Sequence, residues 1–362
     1  MISHSDATAK SSAPWFFAWG LALLVLLGDC GRSVEMAPPP VPEQNLVFAF
    51  YNVENLFDPA DDLSIAGDDD FTPQGRMKWT PERYERKLAA LARAIRGMDD
   101  GRGPDLLGLC EVENRAVLDR LVREFLPAGE YSVVHADSPD LRGIDVAIVY
   151  RAAVMELKRL AMHRVDLGPG MRPTRDIMEG TFVKQGREFT VFVNHWPSRA
   201  GGREESEPFR RRAAAVAAGA IDSLRMLNPQ ADIVLMGDLN DEPHDVAVRD
   251  VLDAAEYAAG EPFTHRMINT ALPVARADTT GSYRYSGDWE VLDQIMLSPG
   301  ALDDRGLVLR EYSERIFMPE FLRDAIADPI ARPPRRTYIR GTLYIGGTSD
   351  HFPVYLHVGW NG

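Results

Sequence analysis

The stretch Leu46-Val-Phe-Ala-Phe-Tyr-Asn-Val-Glu54 combines an uninterrupted apolar run with polar residues at its end. A continuous apolar run of this length predicts a strand that is buried on both faces. The pattern recurs in Asp105-Leu-Leu-Gly-Leu-Cys-Glu111 and in Ile233-Val-Leu-Met-Gly-Asp238. Ligands often bind where the strands of an α/β fold end, so the same stretches that build the sheets also place candidate site residues.

Further strand-like runs follow at short intervals, which favours antiparallel neighbours over helical crossovers. They span residues 131–135, 144–150, 154–162, 176–184 and 189–195, and residues 290–297 and 352–358 are further strand candidates. Helices are predicted from the N-cap Thr80 to Gly97, from Asn114 to Phe125 and from Phe209 to Leu227. Two packed sheets with helices outside would cover every apolar face of these elements.

Composition places the chain among globular proteins, with 362 residues, 45% hydrophobic and 26% charged. The formal charge of −14 argues against adhesion to nucleic acid through a broad basic face. A nuclease remains open, because a metal ion and a few local arginines can hold a phosphate on an acidic protein. Cys30 and Cys110 exclude a disulfide framework, and Cys110 is predicted to be a small buried hydrophobe.

The first 30 residues are interpreted as a signal peptide. The apolar run from Trp15 to Leu27 is short for a membrane span and suits the core of an export signal. Leu27-Gly-Asp-Cys30 resembles the lipobox of bacterial lipoproteins, with Asp29 where a small residue is usual. We expect an exported protein, periplasmic or anchored to the membrane through lipidated Cys30, or extracellular. An uncleaved signal anchor and an ordinary signal peptide are the alternatives.

A proline-rich tether over residues 31–45 is expected to join this segment to one folded domain, residues 46–362. The acidic loop Asp58–Asp70 is interpreted as solvated, with a calcium site as the alternative.

The polar residues that stand out lie at or beside strand ends. They are Asn52, Glu54, Glu111, His195, Asp238, Asn240, Asp293, Asp350 and His351. Oxygen ligands suit Mg²⁺ or Mn²⁺, and the lack of paired cysteines and of an HExxH pattern argues against zinc. Two histidines beside carboxylates permit acid–base chemistry near neutral pH. The set therefore indicates metal-assisted hydrolysis, although each residue alone is more often a cap or a turn residue.

Seven segments in this order resemble the endonuclease/exonuclease/phosphatase superfamily, the DNase I-like proteins, and within it the exported bacterial endonuclease type. They are Tyr51-Asn-Val-Glu-Asn55, Leu109-Cys-Glu-Val-Glu113, Arg142-Gly-Ile-Asp-Val146, Val193-Asn-His-Trp-Pro197, Gly237-Asp-Leu-Asn240, Leu292-Asp-Gln-Ile295 and Ser349-Asp-His351. The resemblance implies an α+β fold, a four-layer αββα sandwich of two mainly antiparallel sheets flanked by helices.

The resemblance also implies a binding site for Mg²⁺ or Mn²⁺. Glu111 would be the principal ligand, and Asn52 and Asp350 would complete the site directly or through water. Glu54 matches a position that is acidic in some members and would serve a second metal site.

Catalytic roles follow from the same resemblance. His351 would pair with Asp293, while Asp238 and Asn240 would orient the attacking water and the phosphate. His195 would donate a proton to a phosphate oxygen or to the leaving group, and no acidic partner for it is evident. The general base is either His351 or Asp238.

Two arginines, Arg142 and Arg199, are candidate phosphate contacts, and for each the alternative is a structural salt bridge or a solvated surface position. The segment 301–340 matches none of the family segments, and it is either a basic lip beside Asp350 or a solvated loop. Its closely spaced arginines are Arg332, Arg335, Arg336 and Arg340.

The function expected from these residues is hydrolysis of phosphodiesters by an exported endonuclease that cleaves DNA or RNA. One alternative is a phosphoesterase for lipid headgroups, inositol phosphates or nucleotides. A remote alternative is a surface lipoprotein that binds without catalysis. No protein partner is inferred.

Overall fold

The computed structural model of the protein describes residues 45–63, 65 and 67–361. The predicted signal peptide, most of the tether and Cys30 lie outside the described residues. The first strand begins at Asn45, one residue before the predicted start. In the part of the chain that is described, no helix has the length and apolar character needed to cross a membrane.

Eighteen strands lie along the described residues. They are β1 (Asn45–Leu56), β2 (Leu106–Val112), β3 (Tyr131–His135), β4 (Asp145–Arg151), β5 (Glu156–His163), β6 (Ile177–Lys184), β7 (Arg187–His195), β8 (Ile233–Asp238), β9 (Ala254–Ala255), β10 (Met267–Asn269), β11 (Tyr283–Tyr285), β12 (Asp288–Glu290), β13 (Asp293–Leu297), β14 (Gly306–Leu309), β15 (Arg315–Ile316), β16 (Tyr338–Ile339), β17 (Leu343–Tyr344) and β18 (Val354–Asn361).

Four α-helices accompany the strands. They are α1 (Pro81–Gly97), α2 (Arg115–Arg120), α3 (Arg203–Leu227) and α4 (Leu272–Ala277). Single 3₁₀ turns span Asp69–Phe71, Asp99–Gly101, Pro299–Leu302 and Glu320–Leu322, and π turns span Leu121–Phe125 and Ala247–Val251.

The strands form two large sheets, and both are mainly antiparallel, as expected. The first has the order β14-β18-β1-β2-β4-β3, with β15 beside β18, and only β1 and β2 run parallel in it. The second has the order β5-β6-β7-β8-β13-β10-β9, with β7 parallel to β8 and β9 parallel to β10. The chain crosses from one sheet to the other between β4 and β5, so those two closely spaced strands are not neighbours.

The hydrophobic core confirms the four-layer arrangement. Phe48 and Phe50 of β1 face the second sheet and pack in one cluster with residues such as Met236, while Ala49 and Tyr51 face α1. Helix α3 covers the outer face of the second sheet through Ala213, Ala214, Ala217, Ala218 and Ile221. Strand β1 is thus buried on both faces, as its continuous apolar run predicts, and Cys110 is a buried core residue.

Local signals located both ends of α1 and the start of α2, whereas α2 ends at Arg120 and a π turn continues to the predicted end at Phe125. The side chain of Thr80 accepts a hydrogen bond from the Arg83 backbone N–H, so it caps α1 as predicted. Helix α3 begins at Arg203 rather than at Phe209 and contains Pro208. A proline near a helix start removes only one backbone hydrogen bond, so it did not end the helix here.

Asp232 provides a test of the packing between the two large sheets. Its Oδ2 accepts a hydrogen bond from the Leu307 backbone N–H at 3.0 Å, whereas its buried Oδ1 lacks a hydrogen-bond partner within the described part of the chain. Burial raises the pKa of Asp232 to about 7, compared with about 3.9 in an unfolded chain. The folded state therefore binds more protons between these values, so this group costs stability as the pH rises through that window.

We expect Asp232→Asn to stabilise the protein at pH 8 by up to about 4 kcal/mol, with little linkage effect near pH 4. Urea unfolding at both pH values measures the difference. An equal difference at pH 4 and pH 8 would contradict the assignment.

Candidate active site

Strand topology brings the predicted polar residues to one edge of the two packed sheets. The parallel pair β1 and β2 ends near Asn52 and Glu111, and the parallel pair β7 and β8 ends at His195 and Asp238. Strands β13 and β18 run antiparallel to their neighbours, so their first residues lie at the same edge. Residues far apart in the sequence therefore meet because each adjoins a strand end.

A cavity of about 710 Å³ opens at this edge. Its lining includes these predicted residues: Asn52, Glu111, Arg142, His195, Arg199, Asp238, Asn240, Asp350 and His351. Asp293 lies behind the wall, where it contacts His351. Glu54 is not part of the lining.

His351 is held as a buried cation between carboxylates. Its Nδ1 lies 2.6 Å from Asp293 Oδ2, and its Nε2 lies 3.7 Å from Asp238 Oδ2. Burial opposes the charge, but the two carboxylates outweigh it and raise the pKa of His351 well above the usual range. The ring of Tyr283 packs against the imidazole with centroids 4.7 Å apart.

His195 has the opposite electrostatic character. Burial, reinforced by Arg175 and Arg142, lowers the pKa of His195 well below its usual range, so the ring is neutral. Its Nε2 lies 4.0 Å from Glu111 Oε1 and 3.9 Å from Asp238 Oδ2, beyond direct hydrogen bonding. Its buried Nδ1 has no hydrogen-bond partner among the described residues.

Asp238 lies between these two histidines. Its Oδ2 accepts a hydrogen bond from Asn52 Nδ2 at 2.9 Å, and its Oδ1 accepts one from the Asn240 backbone N–H at 3.0 Å. Burial raises the pKa of Asp238 to about 6; His351 lowers it and Asp293 raises it. A carboxylate with a pKa near neutrality is well suited to accept a proton.

Strained backbone aims the carboxylate of Glu111. Glu111 has a φ of 63°, and β2 has an irregular register between Cys110 and Val112. A positive φ is uncommon and costly for glutamate, and such residues cluster at active sites as well as in turns. The side chain accepts a hydrogen bond from the Asn55 backbone N–H at 2.8 Å, which holds it at the cavity wall.

Asn52 presents its amide nitrogen to the carboxylates. Its Nδ2 lies 2.9 Å from Asp238 and 3.4 Å from Glu111, while its Oδ1 accepts a hydrogen bond from the Glu54 backbone N–H. If the amide were flipped, its Nδ2 group would face the Glu54 backbone N–H, and two donors would oppose each other. The orientation described is therefore favoured. In this geometry the amide nitrogen of Asn52 orients the carboxylates of Asp238 and Glu111. Its amide oxygen faces the Glu54 backbone, whereas a direct metal ligand would face those carboxylates.

Glu54, interpreted as a second metal site, has structural partners instead. Its Oε2 accepts a hydrogen bond from the Thr337 backbone N–H at 2.7 Å and lies 3.9 Å from Lys87 Nζ. Burial and the nearby Asp350 raise the pKa of Glu54 to about 7. The reason is local: the backbone bulges at Glu54 and Asn55, with φ values of 48° and 53°, and the side chain turns away from the cavity.

The two candidate phosphate contacts differ in availability. The Arg142 side chain is 52% exposed, and its guanidinium lies 3.5 Å from Asp140. The Arg199 guanidinium is held by Glu290 and by the Asn240 carbonyl, to which its Nε donates at 2.7 Å. Arg142 is therefore free to reach a substrate, whereas Arg199 positions the loop that carries Asn240.

Sequence reasoning missed the hairpin β11–β12, which supplies Tyr283, Tyr285 and Glu290 to the cavity lining. Alternating aromatic residues before the Ser286-Gly287 dipeptide are a hairpin signal that could have located it. Nothing local in the sequence, however, places a hairpin above His351.

The donor set at the cavity wall fits a hard divalent cation. Glu111 and Asp350 offer partly exposed carboxylate oxygens, which Mg²⁺ and Mn²⁺ prefer. Cys110, His195 and Asp238 also lie close together, but burial raises the pKa of the Cys110 thiol well above its usual value. This cluster holds a single cysteine, whereas sites for soft metals are built mainly from several thiolate or thioether ligands.

Comparison with known proteins decides the family. The model of the endonuclease/exonuclease/phosphatase family matches residues 47–359. The chain belongs to this family. The members of the endonuclease/exonuclease/phosphatase family are hydrolases that act on phosphoesters. A comparison with curated protein sequences found no match.

Solved structures of other endonuclease/exonuclease/phosphatase proteins share the fold. A family member from Bacteroides thetaiotaomicron has 16% identity and a TM-score of 0.55, covering 88% of this chain and 95% of that one. The human Nocturnin catalytic domain with bound sulfate has 15% identity and a TM-score of 0.53, with coverages of 89% and 96%. A mannosyl-6-phosphatase from Bacteroides thetaiotaomicron has 17% identity and a TM-score of 0.50, with coverages of 86% and 99%. These likenesses establish the αββα fold and leave the substrate open.

Proposed function

We propose that the protein is a metal-dependent phosphodiester hydrolase, an endonuclease that cleaves DNA or RNA. The observation that carries the proposal is that Glu111, Asp238, His195 and His351 meet at one cavity. A neutral His195, a cationic His351 and a carboxylate with a pKa of about 6 face one cavity. Where the surroundings shift the pKa values of neighbouring groups in opposite directions, one group is suited to act as the acid and another as the base.

The residues divide the reaction as follows. His351 already carries its proton, so the base is Asp238, which takes a proton from the attacking water as its oxygen bonds to phosphorus. The bond from phosphorus to the leaving oxygen breaks, and His351 Nε2 gives that oxygen a proton. The N–H of neutral His195 donates a hydrogen bond to a phosphoryl oxygen, and Asn240 orients the phosphate.

A divalent cation at Glu111 and Asp350, Mg²⁺ or Mn²⁺, would neutralise charge on the phosphoryl oxygens. Asn52 holds Glu111 and Asp238 in place through its amide nitrogen. The exposed Arg142 adds a positive charge at the cavity wall.

A second candidate function is hydrolysis of small phosphoesters, such as sugar phosphates, inositol phosphates, nucleotides or lipid headgroups. The observation that favours it is the structural likeness to a mannosyl-6-phosphatase. A cavity of about 710 Å³ also has room for a small phosphorylated molecule.

Nicking of supercoiled plasmid by the purified protein tests the proposal. We expect nicking with Mg²⁺ or Mn²⁺ and none with EDTA. In parallel, bis-p-nitrophenyl phosphate and mannose 6-phosphate report diesterase and monoesterase activity. Turnover of mannose 6-phosphate without plasmid cleavage would favour the second candidate. No turnover of any phosphoester by the folded protein would support a binding protein without catalysis.

We also propose that the protein is exported, with residues 1–30 as the signal and Cys30 as the site of lipidation. Support comes from the apolar run Trp15–Leu27 and the lipobox-like Leu27–Cys30. Cell fractionation and labelling with a radioactive fatty acid test this. Protein in the cytoplasm would refute export, and label retained by Cys30→Ala would refute lipidation at this residue.

A further inference from the structure

Of the four closely spaced arginines in the segment 301–340, one lies beside residues that line the cavity, and the other three are engaged or directed elsewhere. Arg336 Nη2 lies 3.9 Å from Asp350 Oδ2, and its guanidinium is close enough to the hydroxyl of Tyr283 to affect the pKa of that group. Asp350 and Tyr283 both line the cavity. By contrast, Arg332 pairs with Glu320, Arg335 donates to the Ile345 carbonyl at 2.8 Å, and Arg340 is exposed on the turn between β16 and β17.

The backbone that carries Arg336 is tied to the core. The next residue, Thr337, donates its backbone N–H to Glu54 Oε2 and accepts a hydrogen bond from Lys87 Nζ on its Oγ1. The Arg336 carbonyl accepts a hydrogen bond from the Gly347 backbone N–H at 3.2 Å. These hydrogen bonds hold the backbone from which the Arg336 side chain extends toward Asp350.

The Arg336 side chain still has capacity to bind an anion. Its side chain is 39% exposed, and 3.9 Å exceeds the length of a direct hydrogen bond to Asp350. A guanidinium has five N–H donors, so the contact with Tyr283 leaves others available. On a chain with a formal charge of −14, a cation next to Asp350 is a local attraction for phosphate.

We propose that Arg336, positioned by the buried Glu54–Lys87 pair, forms a subsite for a second phosphate, the one next to the scissile phosphodiester in a nucleic acid strand. A planar, bidentate guanidinium suits a phosphate group. The inference rests on the proposed phosphodiesterase function and names the substrate feature that the same site recognises.

Dinucleotides with and without an added terminal phosphate test the subsite. The substrates are thymidylyl-thymidine and its 5′- and 3′-phosphorylated forms, each with one phosphodiester bond. We expect one added phosphate to raise kcat/KM about tenfold for the wild-type protein, as one charge-assisted contact would. Arg336→Gln should reduce this ratio to about one, whereas Arg340→Gln, a change in the same segment, should retain it.

A binding measurement keeps the test independent of turnover. In the Glu111→Gln background, we expect Arg336→Gln to weaken binding of fluorescent hexathymidylate about tenfold. The slope of log affinity against log salt should also fall by about 0.7, as expected when one contact to a single strand is lost. A merely structural role would not change that slope.

The outcomes separate the two proposals. If the wild type cleaves none of the dinucleotides or the plasmid, the proposed function fails, while the hexathymidylate measurement still decides the subsite. If it cleaves them but Arg336→Gln leaves the phosphate ratio and the salt slope unchanged, the subsite is refuted and the function stands.

Discussion

Replacing Glu111 by glutamine is expected to reduce kcat/KM for phosphodiester hydrolysis by about a thousandfold or more. The change removes the negative charge that would hold a divalent cation, and it keeps an oxygen to accept the hydrogen bond from the Asn55 backbone N–H. The fold should therefore persist. Initial rates on plasmid and on bis-p-nitrophenyl phosphate measure the loss, and circular dichroism checks the fold.

Glu113 offers a matched control two residues further along the chain. Its Oε2 accepts a hydrogen bond from the Asp58 backbone N–H, and it is not part of the cavity lining. Burial raises the pKa of Glu113 to about 8, so Glu113→Gln should retain activity without loss of stability at neutral pH. A Glu111→Gln protein with more than about a tenth of wild-type activity would contradict the assignment of Glu111.

Replacing Lys87 by methionine is expected to lower the free energy of unfolding by about 3–5 kcal/mol. Lys87 is only 2% exposed, and its Nζ donates to the Glu54 carbonyl, to Thr337 Oγ1 and to the Thr348 carbonyl. Its loss leaves three acceptors unpaired and the Glu54 carboxylate buried without a cation. Urea unfolding at pH 7.5 measures the change.

Two further variants identify the cause of that destabilisation. Glu54→Gln in the Lys87→Met background should restore part of the stability, because it removes the unpaired buried charge. Arg86→Met, at an exposed position of the same helix, should change the free energy of unfolding by less than about 0.5 kcal/mol. A loss below about 1 kcal/mol for Lys87→Met would show that the buried pair contributes little.

The sequence was informative wherever a short-range pattern decides the outcome. The apolar run at Leu46–Tyr51 required a strand buried on both faces, and Thr80 before Pro81 marked a helix start. Strand ends also indicated the site. The direction in which each strand runs determines which of its two ends lies at the edge of the sheet that carries the site.

Glu54 shows where such reasoning stops. In a regular strand Asn52 and Glu54 would share a face, since side chains alternate with a period of two. Positive φ values at Glu54 and Asn55 interrupt the alternation, and the carboxylate turns toward Lys87 and Thr337. A bulge depends on how two strands pair, and one strand's sequence does not contain that information.

The sequence by itself determined the strands, the order of the family segments and the residue types that suit phosphoester chemistry. Only the tertiary structure decided the charge states of His195 and His351, because burial and the carboxylates around each ring set their pKa values. The tertiary structure also placed only one of four neighbouring arginines, Arg336, beside Asp350. The next residue, Thr337, is held by Glu54 and Lys87 from distant parts of the chain. Charge and position in a folded protein depend on neighbours in space, and those neighbours are brought together only when the sheets pack.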